Sequence, residues 1–274
     1  MKKTMIASAV ALCIAVPAAP VHAGLFDSFF GWVQNTFASF KQKRNKQKQQ
    51  TRGTAVSNSE LRDISNQIMP ANYGSYNRSN ECWGKGRSCM AVNFANRIRF
   101  RDGTLYYLLT SDENAMVYDM YALKKENGRY RVVSKERYTG MGVSGDGMFV
   151  QLGRNVYGWN IMTGDKGGST LYEDFYAVMD GKIRHVASIQ DFLRSKPSNN
   201  ASVLTGDIQV SKGSGQLYPL EVKVTGLTNA QIACNSCEPK GGVRMTPKFY
   251  RFDFNTQTGR YQMPVDYPMK GQRF

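Results

Sequence analysis

Four of the five cysteines, all but Cys13 near the start, fall into two close pairs: Cys82 with Cys89 in CWGKGRSC, and Cys234 with Cys237 in CNSC. Thiols at these spacings can close local disulfides, cycle as a redox pair, or hold a four-thiolate zinc ion. A redox pair needs its first cysteine at a helix N-terminus, where the thiolate is stabilised. TNAQIACNSCEPKGG has Pro and Gly just after the motif and no helical pattern. Structural disulfides are therefore expected, paired locally, with the crossed pairings, redox cycling and zinc as alternatives.

His185 is the one histidine outside the first 23 residues, so a multi-histidine metal site is excluded by count. It lies within a strand pattern, and nothing beside it marks a nucleophile elbow, so a satisfied structural imidazole is expected. Glu173, Asp174 and Asp180 in YEDFYAVMDG could suggest paired carboxylates. Strand neighbours point to opposite faces, however, so Glu173 and Asp174 would not cooperate. Gly140, Gly142 and Gly145 in GMGVSG have dinucleotide-loop spacing. The loop leads into DGMFVQL, a strand pattern, not the helix whose N-terminus would hold a pyrophosphate. TGDKGGS and SGDG lack the repeated acids of a calcium cage. No catalytic residue, metal or cofactor is assigned.

Two stretches could recognise anions. Trp83 sits with Lys85 and Arg87 on the small cysteine loop, near Tyr73 and Tyr76. Aromatics and cations on a stapled loop suit a glycan or polyanion; the alternative is a loop pinned to the core by its rings. Arg97, Arg99 and Arg101 share one strand face, either an anion stripe or a solvent face opposite Ile98 and Phe100.

The elements that must hold these residues begin after a targeting segment. Residues 1–23 read as a signal peptide: Lys2 and Lys3, a short apolar run, and Val21-His22-Ala23 before the cleavage point. Residues 24–40 read as an amphipathic helix. At 100° per residue, Leu25, Phe26, Phe29, Phe30, Trp32, Val33, Phe37 and Phe40 share one face. The helix would be about 24 Å long, too short to span a bilayer and suited to lying on one. Its opening GLFD and aromatic face resemble short membrane-surface peptides.

Residues 41–56 form a basic polar linker, with Lys41, Lys43 and Arg44 at the helix end. Residues 24–53 carry six basic side chains against Asp27. This arm is read as binding an anionic membrane surface or a protein partner, or as docking on its own domain or another copy. The formal charge of the whole chain is +15. That balance favours anionic lipid, lipopolysaccharide, glycan or nucleic acid as partners, but the interleaved acids of the body favour an ordinary solvated surface there, and no specific nucleic-acid partner is expected.

Residues 57–274 read as one β-rich domain, with a subdomain break near 195–202 considered and not favoured. Ser57 and Glu60 form a capping box opening a short second helix, closed by Pro70. After residue 88 the period changes to two. Asn127-Gly128, Asp180-Gly181, FNTQTG and the MFVQLGRNVYGWNIM stretch mark hairpins, and QLYPLEVKVTGL adds a strand. Residues 189–194 suggest one further helical turn. The fold class is mainly β, an antiparallel meander, sandwich-like or partial-propeller domain preceded by the two helices. An outer-membrane barrel is disfavoured because DYPMKGQRF lacks alternation.

The expected function is that of an exported bacterial envelope protein, non-enzymatic, placed in the periplasm, at the outer-membrane surface or in the medium. Its β domain would bind or scaffold while the arm tethers it. The alternatives are a carboxylate-dependent periplasmic hydrolase and an inhibitor or immunity-type protein acting through a protruding loop.

Overall fold

The computed structural model describes residues 54–84, 89–112, 117–140, 147–164, 169–234 and 237–270. The expected signal peptide, the expected amphipathic helix of 24–40, linker residues 41–53, Lys85, Arg87, Gly142 and Gly145 lie outside them.

The described body is mainly antiparallel β-sheet with one helix. The first sheet comprises β1 (Thr54–Ala55), β2 (Tyr76–Asn77), β3 (Cys82–Trp83), β4 (Met90–Phe100), β5 (Gly103–Asp112), β6 (Val117–Glu126) and β7 (Arg129–Thr139). Strands β2 to β7 follow one another in sheet order, and β1 pairs with β4. The second sheet comprises β8 (Gly147–Gln151), β9 (Tyr157–Gly164), β10 (Thr170–Met179), β11 (Lys182–Arg194), β12 (Ser198–Val210), β13 (Leu220–Ile232), β14 (Val243–Arg244), β15 (Lys248–Asn255) and β16 (Arg260–Gln262). It too keeps chain order, with the small β14 set aside on β13. Both sheets are up-and-down meanders.

Short turns explain that order. At Asn127-Gly128 and Asp180-Gly181 all four residues have positive φ, from 49° to 77°. Asn, Asp and Gly tolerate this region, and such two-residue turns match the twist of the flanking strands. In FNTQTG the Gly259 N–H instead donates to the Asn255 carbonyl at 2.9 Å, closing a longer loop.

Side-chain parity sorts the layers. In β5, Tyr107 and Leu109 enter the core between the sheets, where they meet Trp159 and Ile161 of β9. Their neighbours Tyr106 and Leu108 face the other way, beneath helix α1 (Asn58–Tyr73). β10 divides similarly. Tyr176 and Val178 point into the inter-sheet core, while Phe175, Ala177 and Met179 point into a second core inside the curve of the nine-stranded sheet. Tyr267 and Met269, from the chain's end, help fill that second core. Strands buried on both faces read as continuous apolar runs, which is why β6 and β10 show little alternation.

The Ser57 hydroxyl caps α1 by accepting from the Glu60 N–H at 3.2 Å. Pro70 does not end the helix. It sits in the last turn, and the Gly74 N–H donates to its carbonyl at 3.0 Å. Residues 189–194 are not a helical turn but the end of β11, paired with β10 and then with β12. Their apolar spacing is satisfied by burial on both sides of the strand. The segment 195–202, considered as a break, runs from β11 into β12. Ser195 and Ser202 bond backbone to backbone at 2.8 Å, joining β11 to β12 within one sheet.

Candidate functional site

A buried acid and its donors form one polar cluster at the helix-covered face of the first sheet. Asp119 on β6 is fully buried. Arg137, its cross-strand partner on β7, grips it with two bonds of 2.7 Å, from Nε to Oδ1 and from Nη2 to Oδ2. Lys135 Nζ lies 3.2 Å from Oδ2. The Tyr73 hydroxyl, at the end of α1, donates to the same oxygen. Tyr121 in turn reaches the Tyr73 hydroxyl at 2.5 Å. Lys135 also lies over the rings of Tyr121 and Tyr73 and donates to Asn72 Oδ1 at 3.1 Å.

Burial by itself would raise the Asp119 pKa, but Arg137, Tyr73 and Lys135 outweigh it and hold the carboxyl below its ordinary value. Burial, then the bond to Asp119, pushes the Tyr73 phenol up to about 12. A carboxylate saturated with donors is a poor base, and such a phenol is a poor nucleophile at neutral pH. The arrangement fastens the C-terminal end of α1 to the sheet. Its signal in the sequence is one acid inside the apolar run AMVYDMYAL, opposite a strand carrying Lys135 and Arg137.

The acids of YEDFYAVMDG separate. Glu173 Oε2 accepts from Asn160 Nδ2 at 2.5 Å. Asp174 accepts from Thr163 Oγ1 at 3.1 Å and lies 3.3 Å from His185 Nε2. The His185 ring also packs on Tyr176, 5.0 Å between centroids. His185 thus has polar and aromatic partners within the sheet. Asp180 is exposed at its turn, facing Arg184 at 3.7 Å. A small cleft of about 90 Å³ opens between His185 and Ser188 of β11 and Phe252, Arg260, Tyr261 and Met263. That is well under the ~300 Å³ at which small-molecule pockets begin, enough for a few waters.

The cysteines are joined locally, Cys82 to Cys89 and Cys234 to Cys237, with Cα atoms 5.6 and 5.0 Å apart. The buried guanidinium of Arg194 donates to the Cys237 carbonyl and pins the second loop. Its pKa is lowered by burial. Trp83, considered for a recognition loop, is buried with Met69 and Met90, and its ring meets Tyr76 at 5.1 Å. Trp83 itself lies in the apolar space beside α1, where an indole gains more than in water. Arg97 and Arg99 share the α1 face of β4, and Ile98 and Phe100 enter the inter-sheet core. Leu25, Phe26, Phe29, Phe30, Trp32, Val33, Phe37, Phe40, Lys41, Lys43 and Arg44 all lie outside the described residues.

Among the described residues no group of three His, Cys, Asp or Glu is placed to hold a metal ion. No described helix is long and apolar enough to cross a membrane. No family model, curated protein or solved structure matches the chain.

Proposed function

We propose that this is an exported envelope protein whose β-rich body is tethered to an anionic membrane surface by residues 24–53. The observation that carries the reading is the order of chemistry in that arm. Eight apolar side chains share one helical face, and a run of six basic residues comes directly after them. The aromatic face supplies insertion into the headgroup boundary; the basic run supplies long-range attraction, about 1 kcal/mol per residue held near the surface. Two bonded cysteine pairs suit an oxidising compartment. The body then serves as a binding or scaffold domain at that surface, with both ends of α1 fixed to its first sheet.

Co-sedimentation with vesicles tests the tether. Chain 24–274 is expected to pellet with anionic vesicles, less so at high salt, and poorly with neutral ones. A chain starting at residue 54 should lose most of that binding. If both versions stay in the supernatant, the membrane reading fails. The aromatic face is then a protein-docking surface, to be sought in the solution mass of the two versions.

A further inference from the structure

We infer that one end of the first sheet, carrying Arg99, Arg101, Lys124 and Arg129, is the face with which the body meets the anionic membrane surface. The inference rests on the tether reading and names the part of the body that reading leaves open.

Topology gathers these residues. In an up-and-down meander, alternate turns fall at the same end. The β4–β5 turn presents Arg99 and Arg101, and the β6–β7 turn presents Lys124 and Arg129. Register brings them to neighbouring rows: Arg99 is opposite Thr104, Leu105 opposite Lys124, and Glu126 opposite Arg129. The N-terminal end of α1 lies over this end too, since Glu60 reaches Arg97 at 3.3 Å and Asp63 reaches Lys125 at 3.4 Å.

Charge is then the deciding quantity. At this end Arg97 is matched by Glu60, Lys125 by Asp63 and Arg131 by Glu126, and further along the sheet Arg137 and Lys135 share Asp119. Among the described residues Arg99, Arg101, Lys124 and Arg129 have no such partner, and Asp102 is the one acid at this end left to oppose them. Arg99, Arg101 and Arg129 are exposed, and Lys124 is half-buried. Unmatched cations clustered at one edge create a field that an anionic surface would satisfy.

The attachment of the arm supplies an independent argument. β1 runs antiparallel to β4, with Ala55 opposite Asn96 and Thr54 opposite Arg97. Moving back along the chain from Ala55 to Thr54 therefore moves toward Arg99 and Arg101. The basic run ending at Arg52 is joined covalently to the end where these four unmatched cations lie. A tether anchored at any other edge would hold these cations away from the bilayer. Anchored here, it delivers them to the headgroups, and the two binding elements reinforce one another through high effective concentration.

The test compares two quadruple variants of chain 24–274. One replaces the end residues (R99Q, R101Q, K124Q, R129Q). The control replaces four exposed lysines of the second sheet and its loops (K196Q, K212Q, K240Q, K248Q), an equal change in net charge. Circular dichroism confirms that each folds. Binding is titrated on vesicles of phosphatidylcholine with a quarter phosphatidylglycerol. Each surface cation is worth up to about fivefold in affinity, so the end variant should bind tenfold or more weakly while the control stays within about twofold. Equal losses in the two variants overturn this inference and leave the tether intact. No binding by the unmodified chain overturns both. An end variant that keeps vesicle binding but loses heparin assigns the end to a soluble polyanion and overturns the lipid assignment.

Discussion

The two sheets solve the same problem differently. In the first, the inner face meets the second sheet and α1 packs on the outer face. The second curls around its own core and fills the remaining space with Tyr267 and Met269. Where a separate helix does the covering, polar groups are used to fix it, as Asp119, Arg137, Lys135, Tyr73 and Tyr121 do. Where the sheet covers itself, apolar side chains fill the core inside its curve, and buried polar residues such as Asn160, Glu173, Asp174 and Asp191 sit within its own strands. A self-curving sheet is held in place by its own ladder, whereas a lone helix lying on a sheet must be given an address.

That contrast is open to direct challenge. Asp119→Ala should lower unfolding stability by about 3–5 kcal/mol, because it leaves Arg137, Lys135 and the Tyr73 hydroxyl without the acid they share. Phe175→Ala, in the second core, should cost a similar amount by leaving a cavity. The two losses are separated by pH in denaturant titrations. The Asp119 pKa is lowered in the fold, so its contribution is complete above the ordinary value of 3.8 and disappears as pH falls through the folded value. The penalty of Asp119→Ala should therefore shrink in acid, and that of Phe175→Ala should not. Equal behaviour would mean that the polar cluster is held by packing alone.

Tyr73→Phe sharpens the comparison on the alkaline side. It removes a hydrogen bond to a charged acceptor, about 1.5–3 kcal/mol. The phenol's pKa is raised from 10.0 to about 12 in the fold. The neutral form is the one stabilised, so this contribution is whole below pH 10 and is lost as pH rises toward 12. The variant's stability should fall less steeply across that window. The smallest effect belongs to the far end of the helix. Ser57→Ala removes one cap and should cost about 1 kcal/mol, read as a shift in the denaturation midpoint with an unchanged slope.

Much of the body could be read locally. Asn127-Gly128 and Asp180-Gly181 placed two hairpins because few residues accept that backbone, and consecutive strands joined so tightly build a meander. The local cysteine pairs, the Ser57 cap and the opposite facing of Glu173 and Asp174 depend on spacing of a few residues. The Asp119 cluster was not legible in the same way. It joins residues 73, 119 and 137, and no periodicity announces which acid a tyrosine will meet. Residues 189–194 misled because Ile189, Phe192 and Leu193 suit one face of a helix as well as a strand buried on both sides. Trp83 was ambiguous because its loop carries cations as well as an indole, and its burial beside Met69 and Met90 arises only from residues distant in sequence.

The alternation that makes strands, the turns that order them, the cap that starts α1 and the amphipathic basic character of residues 24–53 are all written in local sequence. Each is a matter of near neighbours, where backbone geometry and side-chain chemistry act over one or two turns. Which cations are neutralised, which are left unmatched, and the pairing of β1 with β4 that sets Thr54 beside Arg97 emerge only when the sheets assemble. Electrostatic pairing depends on distance in space, and strands far apart in sequence become adjacent only once the sheets have formed.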